Sequence, residues 1–188
     1  MKNFFNISFF FIFFHLISTC IFSQDNLRDG FTRFYYPNNQ VSSEGFMRNG
    51  KPDGYWKTYN VTGVLKSEGL RVDYLLDSTW TFYNETGEID EKINYKYGKK
   101  NGYCFKYSYL NTAQPVIISK VLYVNDKKEG KAFYYYPDGK IKEELSYSEG
   151  KKQGPGKEYD IEGNVITIFE YNNNYIISRE KINRFDAQ

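Results

Sequence analysis

The stretch Gly54-Tyr55-Trp56-Lys57-Thr58-Tyr59-Asn60-Val61-Thr62-Gly63-Val64-Leu65-Lys66-Ser67-Glu68-Gly69-Leu70-Arg71-Val72-Asp73-Tyr74-Leu75-Leu76-Asp77 decides the fold, because most of the chain is that stretch written again. Its opening Gly recurs, once as Ser, at Gly30, Gly54, Ser78, Gly102, Gly130 and Gly154, in steps of 24, 24, 24, 28 and 24 residues. A frayed seventh copy opens near Ser178. Every copy has a Tyr at its sixth place: Tyr35, Tyr59, Tyr83, Tyr107, Tyr135 and Tyr159. Each then has Asn39, Gly63, Gly87, Asn111, Gly139 or Gly163, and five follow with Val41, Leu65, Ile89, Ile141 or Val165. A fixed period in this range is the signature of a repeat array.

Each copy reads as a β-hairpin. Its first run, such as Thr79-Trp80-Thr81-Phe82-Tyr83-Asn84, is aromatic and β-branched, which suits a pleated strand. A three-residue loop follows, as in Val61-Thr62-Gly63 or Pro137-Asp138-Gly139. Such a loop needs its last residue in the left-handed region, where Gly and then Asn cost least. The second run alternates, with Ile141, Leu145 and Tyr147 on one parity, matched by Ile89, Ile93 and Tyr95 and by Val165, Phe169 and Tyr171. The three-residue loop makes the constant Tyr and the aliphatic of one copy cross-strand neighbours, expected on that same apolar face. A tight turn such as Asn49-Gly50, Tyr97-Gly98, Asn125-Asp126, Glu149-Gly150 or Asn173-Asn174 closes the copy.

A lone hairpin cannot bury its apolar face, so neighbours must complete one another. The fold class expected is all-β: a repeat array of antiparallel hairpins forming one elongated, twisted, open sheet. At about 4.8 Å per strand, six copies make a ribbon on the order of 60 Å long. Arg179, Glu180, Lys181 and Arg184 in the last copy read as a charged cap on an exposed edge. The fourth copy carries four extra residues within Tyr109 to Lys120, expected as a lengthened loop at Leu110 to Ser119.

The first residues are of another kind. One positive charge at Lys2, an apolar run and a small-residue close read as a secretory signal peptide over 1–23, with cleavage between Ser23 and Gln24. The alternative is a lipoprotein signal ending at Cys20, though Thr19 before it is a poor match. A membrane anchor is disfavoured because Asn6, Ser8, His15, Ser18 and Thr19 dilute the run. The repeat domain would then span 24–188, exported to the periplasm or the medium. Without Lys2 it is nearly neutral, which does not suit a nucleic-acid partner.

Gly54-Tyr55-Trp56-Lys57-Thr58-Tyr59 with Gly63, Thr79-Trp80-Thr81-Phe82-Tyr83 with Gly87, and Gly130 to Tyr135 with Gly139 resemble the MORN repeat. Asn49-Gly50-Lys51-Pro52-Asp53-Gly54 and Glu149-Gly150-Lys151-Lys152-Gln153-Gly154 match its closing turn. The resemblance covers nearly the whole of 24–188 and is to the bacterial variant in proteins labelled YwqK-type antitoxins. Departures are Ser78 and Ser178 for Gly, Asn39 and Asn111 for Gly, and Leu75 where Lys is usual. It implies an open antiparallel sheet and a non-catalytic role in binding proteins or, in some members, membrane lipids. The antitoxin label fits an exported chain poorly, so toxin neutralisation stands as an alternative.

Little chemistry is expected. The sole His, His15, lies in the leader, and Cys104 has no His to serve as its base. Every Gly is explained by the repeat phase, so no phosphate loop, cofactor, metal or small-molecule substrate is called for. Glu44, Glu68 and Glu144 recur at one register, read as a solvated row. Two surfaces are candidates for binding. One is the aromatic set Phe34, Trp56, Trp80, Phe82 and Tyr134, which would be an open patch for a protein or peptide or else the packing of the sheet. The other is the lysine edge Lys51, Lys99, Lys100, Lys127, Lys128, Lys151 and Lys152, facing a membrane surface or envelope glycan.

Overall fold

The computed structural model describes residues 29–109 and 114–182. The leader reading, Cys20, Asn111 and Arg184 lie outside them. Fourteen strands run in chain order: β1 (Gly30–Tyr35), β2 (Val41–Arg48), β3 (Lys51–Tyr59), β4 (Leu65–Val72), β5 (Leu75–Tyr83), β6 (Ile89–Lys96), β7 (Lys99–Ser108), β8 (Val116–Val124), β9 (Lys127–Lys128), β10 (Gly130–Tyr135), β11 (Ile141–Ser148), β12 (Lys151–Tyr159), β13 (Val165–Asn172) and β14 (Tyr175–Lys181). They form one antiparallel sheet in which each strand pairs with its chain neighbours, from the free edge β1 to the free edge β14. The two-residue β9 alone lies off that path, against β8.

Both turn types follow from backbone sterics. At the three-residue loops Asn39, Gly63, Gly87, Gly139 and Gly163 all have φ between 65° and 95°. In the loop after β3, Asn60 N–H donates to the Val64 carbonyl, Gly63 N–H donates to the Asn60 carbonyl, and the Asn60 side chain accepts from Val64 and Thr62 N–H. At the closing turns both central residues have positive φ, which marks the two-residue hairpin turns that suit the sheet's twist. One such turn carries only a weak sequence signal: Asp73 and Tyr74, at φ 48° and 64°.

Where Gly opens the other copies, Ser78 sits at φ 56°. A side chain in that region costs about 1 kcal/mol relative to glycine. Ser78→Gly should therefore raise stability by about 1 kcal/mol in thermal unfolding; an unchanged midpoint would show that this copy tolerates the strain.

Register turns the repeat into continuous rows across the sheet. The expected partners face each other: Tyr35 with Val41, Tyr59 with Leu65, Tyr83 with Ile89, Tyr135 with Ile141 and Tyr159 with Val165. In the fourth copy Ile117 takes the aliphatic place opposite Tyr107. The four extra residues thus fall before it, and Val116 to Ser119 belong to β8 rather than to a loop. The constant Tyr does not lie on the apolar face expected for it. Along β3, Trp56 and Thr58 alternate with Lys57 and Tyr59, so the Tyr shares the Lys57 face. The bulge after Thr58, where Lys66 is the extra residue of β4, still brings Leu65 opposite it.

The core is a row of complementary sizes. Thr32 faces Gly45, which faces Trp56, which faces Gly69. Trp80 faces Ile93, then come Cys104 and Val121. Ala132 faces Leu145, then Gly156, Phe169 and finally Arg179. A Cβ built on Gly45 would lie 2.5 Å from the Trp56 ring, and one on Gly69 would lie 2.5 Å from the Trp80 ring. Each indole therefore lies flat on a bare stretch of the preceding strand, and its N–H donates to the carbonyl of Phe46 or Leu70. From the fourth copy onward the large member moves to the other strand: Ile93 over Cys104, Leu145 over Gly156. Alternating large and small partners is how a single sheet reaches interior packing density.

Candidate interaction surface

The face opposite the tryptophans carries a second row. Arg33, Glu44, Lys57, Glu68, Thr81, Lys92, Phe105, Lys120, Phe133, Glu144, Lys157, Ile168 and Glu180 face one another in turn across the main path of the sheet. Charges alternate from Arg33 to Glu68 and again at Glu144 and Lys157, and the middle alternates lysine with phenylalanine.

At the ends the glutamates are sheltered. Their side chains are 17% exposed at Glu44, 20% at Glu68 and 18% at Glu144, so the row is not the solvated one expected from sequence. The reason is the constant Tyr of the next copy. Tyr59 Oη donates to Glu44 Oε1 at 2.7 Å, and Tyr83 Oη donates to Glu68 Oε1 at 2.5 Å. Tyr159 lies close to Glu144, and after burial that carboxylate is the largest influence raising its phenol. A cation completes each set: Arg33 on Glu44 at 2.7 Å, Lys57 on Glu68 at 3.7 Å and Lys131 on Glu144 at 2.5 Å. The bonds from Arg33 and then Tyr59 hold the Glu44 carboxyl below its usual range. Burial, followed by the bond to Glu44, pushes the Tyr59 phenol up to about 12.

In the third and fourth copies the glutamate place holds Lys92 and Lys120. Neither has a carboxylate of the described residues within ion-pair distance. Lys92 Nζ lies 5.9 Å from the Tyr107 ring centre and Lys120 Nζ 4.4 Å from that of Tyr103. Beside Lys120 a groove of about 460 Å³ is lined by Phe105, Val116, Ile117, Tyr135 and Pro137.

Of the aromatic candidates, Trp56 and Trp80 are 3% and 1% exposed. They pack the sheet and offer no open patch, because Gly45 and Gly69 let them lie down and Phe34, Phe82 and Met47 close around them. Tyr134 packs half-buried on the other core cluster, beside Leu145 and Tyr147. Phe34, Phe82 and Tyr134 share the tryptophan face.

The closing turns stack along one edge: Asp126 N–H donates to the Lys100 carbonyl, Gly150 N–H to that of Lys128 and Asn174 N–H to that of Lys152. The candidate lysines are brought together there, in two phases. Lys100, Lys128 and Lys152 lie over the rings of Tyr123, Tyr147 and Tyr171 at 5.3, 4.9 and 4.9 Å. Lys51, Lys99, Lys127 and Lys151 point outward; Lys51 lies over Tyr74, Lys127 pairs with Glu149, and Lys151 donates to Asn173.

Cys104 is half-buried in the core row, where burial pushes its thiol up and away from thiolate. Among the described residues no cluster of three or more His, Cys, Asp or Glu could hold a metal. No helix among them is long and apolar enough to cross a membrane.

The chain matches the family described as MORN repeat variant over residues 28–49, 76–97 and 128–149, and the MORN repeat over 146–165. The three variant matches start two residues before Gly30, Ser78 and Gly130, in phase with the hairpins. The chain is a MORN-repeat protein. No curated protein matches it. MORN repeats commonly serve protein or membrane interactions and are generally non-catalytic.

Proposed function

We propose that this chain is an exported, non-catalytic interaction scaffold that presents the charged face of its sheet to a protein partner. One observation carries the reading: a row of side chains whose carboxylates are compensated at Glu44 and Glu68 on one side and at Glu144 on the other, and which is left open in the middle. Interfaces concentrate aromatic residues and selected cations at their centre and leave polar, already satisfied groups at the rim. The middle of this face has that composition.

Membrane or glycan binding through the lysine edge is the second reading, supported by the stacking of the turns into one basic line. It is weakened because Lys100, Lys128 and Lys152 lie over tyrosines of the chain and Lys127 has its own carboxylate. Toxin neutralisation would use the same protein-binding face and is a special case of the first.

The mature chain incubated with an envelope fraction should retain a partner that protease treatment of the fraction removes, and should retain nothing from protein-free anionic vesicles. Retention on protein-free anionic vesicles that collapses at high salt would favour the lysine edge instead. The mass of the recovered chain tests export directly: a new N-terminus at Gln24 is expected.

A further inference from the structure

We infer that the middle of the charged face is a receptor for two carboxylates of a partner's acidic peptide segment, seated on Lys92 and Lys120. The inference rests on the scaffold reading and names its site.

At Glu44 and Glu68 the chain builds one arrangement twice: a carboxylate, a cation beside it, and the hydroxyl of the following copy's constant Tyr donating to it, and at Glu144 the cation is Lys131 and the constant Tyr159 lies close by. At Lys92 and Lys120 the position of the carboxylate is taken by an ammonium. The tyrosines that would donate there, Tyr107 and Tyr135, remain in register opposite Ile117 and Ile141. Two ammoniums and two phenols therefore share a strip with no carboxylate of the described residues paired to either lysine. A carboxylate arriving from outside would meet a charged donor and a neutral donor, the set that Glu44 meets from Arg33 and Tyr59. Such charge-assisted bonds are about twice as strong as neutral ones.

Geometry sets what fits. Lys92 faces Phe105, which faces Lys120, which faces Phe133. The two lysines are two strands apart, roughly 10 Å at the spacing of a sheet. A segment running along the array with acidic side chains two or four residues apart keeps them on one side and brackets that distance when extended, and the long lysine side chains take up the difference. Phe105 and Phe133 alternate with the lysines, and the groove beside Lys120 takes an apolar side chain next to an acidic one. A lipid headgroup would use the ammoniums but leave that apolar floor uncovered. The partner is thus a protein segment that alternates acidic and aromatic or aliphatic residues.

The test uses the full mature chain and a labelled peptide alternating Glu and Phe, with the Gln and Phe peptide and phosphatidylserine vesicles as comparisons. The native chain should bind the Glu peptide and neither comparison. Lys92→Glu/Lys120→Glu supplies the missing carboxylates from within, so it should fold at least as stably while losing peptide affinity roughly tenfold or more. Lys92→Gln/Lys120→Gln should lose affinity to a similar extent without charge reversal. Lys99→Gln/Lys151→Gln, on the lysine edge, should bind as the native chain does.

Equal peptide binding by the native chain and both Lys92/Lys120 variants would overturn the site while leaving the scaffold reading standing. Vesicle binding without peptide binding, lost in the edge variant, would overturn both. Failure of the native chain to bind the Glu peptide any better than the Gln peptide would also overturn the site.

Discussion

Trp80→Ala should destabilise the sheet by about 3–5 kcal/mol, the usual cost of removing a fully covered aromatic. The informative partner is Gly69. Its Cβ position lies 2.5 Å from two atoms of the Trp80 ring and 2.7 Å from a third, so any side chain there must displace the indole. Gly69→Ile should cost about 3 kcal/mol, at the upper end of ordinary overpacking. The double variant Gly69→Ile/Trp80→Cys writes the Ile93–Cys104 pair of the neighbouring copies into this place. It should recover about 2 kcal/mol relative to the sum of the Gly69→Ile and Trp80→Cys changes, a coupling within the range seen for touching residues. Thermal or denaturant unfolding of the four chains measures it. Strict additivity would mean that the core row is not built from exchangeable size pairs.

Alkali should open the sheet. Ten tyrosines have phenols held above their ordinary value near 10: Tyr55, Tyr59, Tyr83, Tyr95, Tyr107, Tyr123, Tyr135, Tyr147, Tyr159 and Tyr171. Burial is the leading cause in each, and glutamate neighbours add to it at Tyr59 and Tyr83. An acid whose folded pKa is raised stabilises the fold fully below its unfolded pKa and loses that contribution as pH rises through the folded value. The window for Tyr59 runs from about 10 to about 12. With so many phenols resisting ionisation together, tyrosinate absorbance should appear late and coincide with loss of the strand signal in circular dichroism. Tyrosines ionising near pH 10 with the strands intact would contradict the structure.

The array was legible because its turns are governed by local sterics. Asn39, Gly63, Gly87, Gly139 and Gly163 announce their left-handed backbone, and loop length alone paired Tyr59 with Leu65. The Asp73-Tyr74 turn was not legible, since Tyr74 does not favour positive φ, Asp73 alone is a weak signal, and the register on either side forces the turn. The size pairing of Gly69 with Trp80 was hidden for another reason. It joins different copies through a bulge, where Ser78, Thr79 and Trp80 stand between the pairs Leu70–Asp77 and Glu68–Thr81. Simple alternation does not carry across that break. Alternation along the strand did hold the face of the constant Tyr, which cross-strand pairing misassigned. The lysine site had a readable signal, Lys92 and Lys120 standing at the register of Glu44, Glu68 and Glu144. Its meaning needed the Tyr–Glu contacts, because without them that register looks like any solvated row.

Binding through the charged face, rather than the tryptophan face, is the central claim. A photo-crosslinking residue placed in turn at Phe105, Phe133, Phe34 and Phe82 of the mature chain tests this against an envelope fraction. Crosslinks to one protein from Phe105 and Phe133, with none from Phe34 or Phe82, are expected. Capture from Phe34 and Phe82 instead would put the working surface on the tryptophan face and contradict the account.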